Sequence, residues 1–309
     1  MSAFPDFYDP NRIGTLFYPD LSKIVAEARQ VDLAPSSKDD PKVQLLIVDM
    51  QVDFCHQEGN LHVPGALGDI QRLIEFIYRQ AEHLSGISCS LDSHLPFQIF
   101  HPSWWVNKRG DSPHPLTIIT QVDLEEGKWR ARQQPDWSRQ YVTELDENAK
   151  KALTVWPYHA LIGSVGQLPD IELWSAIFWH ALARSSQPNW WTKGEIPGTE
   201  HYSILQPEIP VSEDPQGGKN LALLEKLREQ DYLIVAGEAA SHCVFETLQD
   251  LVDEFANDPD RLSRIFVLRD CMSPVQHPEI DFAALVEKQF AKLQESGIRF
   301  ILSSDPLPF

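Results

Sequence analysis

Three residues in this chain could carry covalent chemistry: Cys243, in the stretch VAGEAASHCVFET (235–247), with Asp49 and Lys193. Cys243 follows an apolar run, 232–236, that ends in small residues. It opens a helical pattern of Val244, Phe245, Leu248, Leu251, Val252 and Phe255. At a strand-to-helix turn, backbone N–H groups point outward and the helix dipole favours an anion, so both effects lower a thiol pKa and make a nucleophile. The plainer reading is a buried structural cysteine, the commoner fate of a free thiol. Taken singly, Asp49 reads as a turn or cap residue and Lys193 as a surface lysine. Together the three are coherent. A carboxylate takes the thiol proton and an ammonium steadies the thiolate. Small residues ahead of the cysteine let N–H groups approach a substrate oxyanion.

A second set is Asp92 and His94, with His101 and His159 further along. An aspartate and a histidine two apart on an extended chain point to the same side. Two more histidines after other strand ends would complete a site, and mixed carboxylate and imidazole ligands suit Zn²⁺, Mn²⁺ or Fe²⁺. For any one histidine a surface or core role is the simpler reading, and His114, His180 and His201 are left there.

The elements that must position these groups follow from hydrophobic spacing. Residues 43–48 are a continuous apolar run rich in β-branched side chains, the habit of a parallel strand buried on both faces. Further strands are expected at 87–91, 153–156, about 189–192, 232–236, 264–268 and 298–302. Helical spacing covers 69–84, 170–182, 220–228, 242–256 and 281–294, with a short helix near 20–30 and one at about 136–151. Strands alternating with amphipathic helices predict an α/β fold: a doubly wound, Rossmann-like, mainly parallel sheet of about six strands with helices on both faces. Ligands of such sheets sit outside the carboxyl ends of the strands. Asp49, Asp92, His94, His159, Lys193 and Cys243 each close or follow a strand.

Residues 1–40 are too aromatic for a disordered tail and read as an arm that packs on the body or on a neighbouring subunit. Residues 41–309 read as one domain interrupted by a charged, tryptophan-rich insertion at about 102–152, too poor in aliphatics for a core of its own. Lys+Arg of 26 against Asp+Glu of 45 gives a net charge of -19. That argues against nucleic acid and anionic membrane partners, which need a positive face. No apolar stretch is long enough to span a membrane. The four cysteines, Cys55, Cys89, Cys243 and Cys271, fit a reducing compartment. MSAFPDFYDP does not read as a signal peptide, so a cytoplasmic location is expected.

The ordered blocks LLIVDMQVDF, GNLHVPGA, LDSH, WPYH, WTKGE with TEHYSIL, and GEAASHCVFETLQD resemble the nicotinamidase branch of the isochorismatase-like cysteine hydrolases over most of 43–302. The resemblance implies an amidohydrolase that uses a divalent metal, carries a Cys243 thioester and acts on a small carboxamide, most simply nicotinamide, in a homo-oligomer. It assigns Asp49 as base, Lys193 as catalytic lysine and Cys243 as nucleophile. Asp92, His94 and His159 become metal ligands, with His101 near a further ligand position. Glu238–Ala239 matches a cis peptide, and the N–H groups of Ala239 and Cys243 an oxyanion hole. Glu238 departs from the pattern, which has an apolar residue there. The alternatives are another amidase or ureide hydrolase of the superfamily, whose members generally lack the metal set, and a non-catalytic oligomeric relative.

Overall fold

A computed structural model describes residues 4–148 and 151–308. Its centre is one six-stranded, all-parallel sheet. In chain order the strands are β1 (Val43–Val48), β2 (Gly86–Asp92), β3 (Asn189–Lys193), β4 (Tyr232–Gly237), β5 (Ile265–Leu268) and β6 (Arg299–Ile301). All six residues of β1 are buried, as a strand covered on both faces requires. In space the order is β6-β5-β4-β1-β2-β3. The chain runs outward from β1 to β3, then returns to β4 on the other side of β1. The switch point of this doubly wound sheet therefore lies between β1 and β4, and the crevice for a ligand opens above it.

The helices are α1 (Leu21–Gln30), α2 (Ala66–Arg79), α3 (Pro135–Glu147), α4 (Ile171–Arg184), α5 (Leu221–Arg228), α6 (Cys243–Glu254) and α7 (Phe282–Glu295), with shorter turns between. α1 and α2 both pack on α4, and α6 packs on α7. Right-handed crossovers put these two groups on opposite faces of a sheet with this order.

Three expectations need correction. The stretch at 153–156 does not join the main sheet: Leu153–Thr154 pairs antiparallel with Ile118–Ile119 in a separate two-stranded ribbon. Helical spacing at 69–84 overran, because α2 ends at Arg79 and Leu84 is buried in the turn that leads to β2. The helix expected at about 136–151 spans Pro135–Glu147, and residues 149 and 150 lie outside the described residues, as do 1–3 of the arm.

From Phe4 onward the arm packs on the body. The rings of Phe4, Phe7 and Tyr8 lie 6.1, 6.1 and 5.4 Å from that of Tyr78 on α2. Asp9 N–H donates to Glu172 Oε1 at 2.9 Å, and Gly14 N–H to Asp170 Oδ2 at 2.9 Å. Asp39 pairs with the buried Arg184 of α4.

Candidate active site

Ladder register brings the charged residues together. Asp92 and Lys193 are direct partners on β2 and β3. Val48 pairs with Gly237, so Asp49, one residue on, stands beside the turn that leads from β4 into α6. Only glycine fits at 237: its φ is +134°, and a Cβ there would sit 2.1 Å from the Val48 carbonyl oxygen. Cys243 is the first residue of α6. Lys193 Nζ joins the set. It lies 2.8 Å from Asp49 Oδ2 and donates to Asp92 Oδ1 at 2.9 Å and to the His201 carbonyl at 2.9 Å. It is 3.5 Å from Cys243 Sγ. Asp49 is held in turn by Ser90, whose hydroxyl donates to Oδ1 at 2.6 Å. The N–H groups of Ala239 and Cys243 donate to no other group among the described residues.

Burial sets the electrostatics. It opposes the charge on Lys193, yet Asp49, Asp92 and Cys243 outweigh it and hold the ammonium's pKa well up. Burial raises Asp49, partly offset by Lys193. It also pushes the Cys243 thiol well above its ordinary value, against the pull of Lys193. This corrects the expectation of a depressed thiol: at rest Cys243 keeps its proton, because burial, with Asp49 and Asp92 beside it, outweighs one nearby cation.

Asp92 faces two ways. Its Oδ1 meets Lys193, while Oδ2 lies 2.9 Å from His94 Nε2 and 3.8 Å from His159 Nε2. Ligand atoms of Asp92, His94 and His159 all lie within 4.8 Å of one another. His94 Nδ1 donates to the Gly194 carbonyl at 3.2 Å, and His159 Nδ1 to the Pro157 carbonyl at 2.7 Å. A carbonyl only accepts, so each Nδ1 carries the proton and His159 Nε2 is left with its lone pair; His94 Nε2 bonds the Asp92 carboxylate, which against burial holds that imidazole's pKa up, and would give up its proton to a bound cation. This is the second-shell pattern of metal-bound imidazoles, and the donor set fits a divalent cation. Burial and neighbouring His94 hold His159 at about 4, so it stays neutral as a ligand must. Gly194 has φ +85°, and a Cβ there would come within 2.7 Å of His94 Cε1 and 2.9 Å of Asp92 Oδ1. His101 is buried beside the cluster, its ring 6.0 Å from that of His94 and 6.3 Å from that of His159, but it is not part of the 4.8 Å group.

A cavity joins the two sets. Cys243, Ala239, Asp92, His159 and Glu200 line it together with the apolar and aromatic Phe54, Leu61, Trp156, Tyr202, His242 and Val275. No family model matches the chain, and no curated protein matches it. Solved structures do. A nicotinamidase/pyrazinamidase of Acinetobacter baumanii is 19% identical, with a TM-score of 0.56 over 87% of this chain and 100% of that one. The yeast nicotinamidase bound to the inhibitor nicotinaldehyde is 17% identical, with a TM-score of 0.55 over 84% of this chain and 99% of its own. A protein of L. infantum solved in complex with nicotinate is 19% identical, with a TM-score of 0.51 over 86% and 95%. The chain has the nicotinamidase fold.

Within the nicotinamidase fold, several cavity residues had escaped the sequence reading. Glu200, fully enclosed, has its carboxyl raised to about 7 by burial, with His94 pulling the other way. Tyr202 accepts the Trp156 indole N–H at 3.0 Å, and His242 packs on both rings at 5.3 Å. Glu200 and Tyr202 lie in TEHYSIL, inside a loop with no periodic pattern, and their spacing from Lys193 was the one available signal. His201 serves through its carbonyl on Lys193, and His180 is a core residue bonded to the Leu84 carbonyl at 3.0 Å.

Proposed function

We propose that the chain is a cysteine amidohydrolase that uses a divalent metal and cleaves a small carboxamide to a carboxylate and ammonia, with nicotinamide the first substrate to test. The observation that carries this reading is the single ammonium of Lys193 in contact with Asp49, Asp92 and the thiol of Cys243, beneath an apolar and aromatic cavity. A structural cysteine needs neither a buried carboxylate pair nor a buried lysine. The nicotinaldehyde and nicotinate of the yeast and L. infantum structures are pyridines bearing a one-carbon carbonyl arm, the substrate shape this reading implies.

In the proposed reaction Asp49 takes the Cys243 proton as sulfur attacks the amide carbon. The N–H groups of Ala239 and Cys243 receive the developing oxyanion, and Lys193 keeps Asp49 ionised for the transfer. The C–N bond breaks, and the proton on Asp49 leaves with ammonia. A water then gives one proton to Asp49 and its hydroxide to the thioester; the C–S bond breaks, Asp49 returns its proton to sulfur, and the carboxylic acid released loses its own proton to ammonia, leaving carboxylate and ammonium. Asp92, His94 and His159 would hold the metal, which offers a Lewis-acid contact to a substrate nitrogen. Trp156, Tyr202 and His242 hold the flat substrate and exclude water. Residues 41–309 form the hydrolase domain on this reading, with 102–152 as an insertion that buttresses the cavity wall and 1–40 as an arm.

An ammonia-release screen over small amides, with and without a chelator, tests the proposal. Release from nicotinamide or a related heteroaryl amide, lost on chelation and restored by a divalent ion, is expected. Release of no ammonia from any amide by metal-loaded protein overturns it.

A further inference from the structure

A second pair of buried carboxyl groups sits behind the cavity, and no step of the proposed reaction uses it. Glu238, at the turn after β4, is 0% exposed, and Asp69, in the first turn of α2, is 2% exposed. Both carboxyls converge on Ser273, and the charge of each is felt by the other. Asp69 accepts from two donors: Arg72 Nη2 at 2.6 Å on Oδ1 and the Ser273 hydroxyl at 2.5 Å on Oδ2. Glu238 Oε2 accepts the Ser273 N–H at 3.1 Å, whereas its Oε1 is buried with no donor. Two ionised carboxylates cannot bond each other. A proton on Glu238 removes the repulsion and gives the pair a donor that it otherwise lacks.

This pair grips the turn that bears Ala239. Glu238 N–H donates to the Val48 carbonyl at 2.8 Å, and Ala240 N–H to the Ser273 carbonyl at 2.9 Å. Ser273 therefore holds the turn twice, by its N–H on the Glu238 side chain and by its carbonyl on the Ala240 backbone. The Ala239 N–H lies between these two anchors.

We propose that Glu238 is a positioning residue: as a neutral carboxyl joined to Asp69 through Ser273, it sets the orientation of the Ala239 turn. Its effect on turnover rests on the amidohydrolase reading, and its effect on the pH response of the fold does not.

The groups around it support the neutral form. Asp69 and Arg72 face it from α2, and Cys55 from the helix Val52–Cys55. Asp270 and Cys271 follow β5, and the Cys271 carbonyl accepts the Gly237 N–H at 3.1 Å. Among these Arg72 is the one cation, and it already bonds Asp69 and the Asp270 carbonyl. Burial first, then Asp69, push Glu238 well above its ordinary range. A carboxyl raised in the fold adds stability that is fully present below its ordinary value of 4.5 and is lost as pH rises through its raised value.

Melting temperature, ammonia release and Cys243 alkylation rate across pH, in wild type and in E238Q, E238A and D69N, test the proposal. Glutamine keeps a donor for Asp69 and an acceptor for Ser273; alanine keeps neither. The wild-type melting temperature and kcat are expected to fall on the alkaline side, and both falls to flatten in E238Q. E238A should lose about 10- to 100-fold in kcat relative to E238Q with KM little moved. D69N, on a different element, should flatten the same alkaline falls, so poor folding of one variant leaves the other to decide. Wild-type slopes in E238Q or D69N, or equal kcat in E238A and E238Q, overturn the proposal. If no amide is hydrolysed at all, the functional reading fails, while melting and alkylation slopes still decide the carboxyl pair.

Discussion

The two sides of the cavity are held by different forces. On the sheet side, Asp92 and Lys193 stand in direct register on β2 and β3, and Asp49 follows β1 at the switch point. Parallel ladders buried on both faces fix their backbones, and one ammonium ties their charges together. On the other side, Glu200 and Tyr202 stand on an irregular loop with no ladder. That loop leans on the insertion. Trp137 donates its indole N–H to the Gly198 carbonyl at 2.7 Å, and Tyr141, fully buried on α3, accepts the Glu200 N–H at 3.0 Å. Lys151 pairs with Glu246 of α6 and lies over the Tyr202 ring at 5.7 Å. The difference teaches that groups proposed to break bonds stand on the rigid sheet or at the first positions beyond its strands and turns. Groups that would shape the substrate stand on a loop braced by extra sequence.

Substitutions on the two sides should therefore fail in different ways. The largest effect is expected from Cys243→Ala, which should cost at least about 10⁴-fold in kcat while far-ultraviolet circular dichroism stays that of the wild type. Full ammonia release by that variant would break the sheet side of the comparison. Lys193→Met comes next. It leaves Asp49 and Asp92 buried without their cation, so denaturant unfolding should register a loss of about 3–5 kcal/mol, together with loss of turnover. His159→Ala should lower the metal content measured by elemental analysis and reduce activity more than it reduces stability. A metal content equal to the wild type would remove His159 from the ligand set.

The pH response sharpens the sheet side. Burial raises Asp49, and it must be ionised to take the thiol proton. The acid limb of kcat/KM should thus fall as pH drops through a value above the ordinary aspartate range. A limb at the ordinary value would contradict the enclosure of Asp49. The smallest effect belongs to the loop side. Tyr141→Phe leaves the buried Glu200 N–H without an acceptor, which costs about 1–3 kcal/mol in unfolding experiments. It should raise KM more than it lowers kcat, since it loosens a wall rather than the reacting groups. A change confined to kcat would mean the loop serves chemistry and not binding.

Much of this was legible because the relevant signals are local. The apolar run of β1 is a strand in the fold with the expected ends, and the helices of 21–30, 221–228, 243–254 and 282–295 follow the spacing of their apolar residues. Strand-end positions singled out Asp49, Asp92, His94, Lys193 and Cys243 before any contact was known. The ribbon strand Leu153–Thr154 was misplaced because a short apolar run carries no information about its partner. Glu200, Tyr202 and His242 were missed because a loop has no period to betray which side chains point inward.

The sequence by itself determined the alternation of strands and helices, and with it the end of the sheet where a ligand would lie. Tertiary structure alone decided which charges meet and in what protonation state. The direction of the Cys243 shift depends on enclosure, which spacing does not encode: a helix N-terminus and a lysine predict a lowered thiol, and burial raises it. The same holds for Glu238, which along the chain is only a charged residue in a run of small ones. In the fold it meets Asp69 from a helix 169 positions away, and burial together with that contact pushes its carboxyl up.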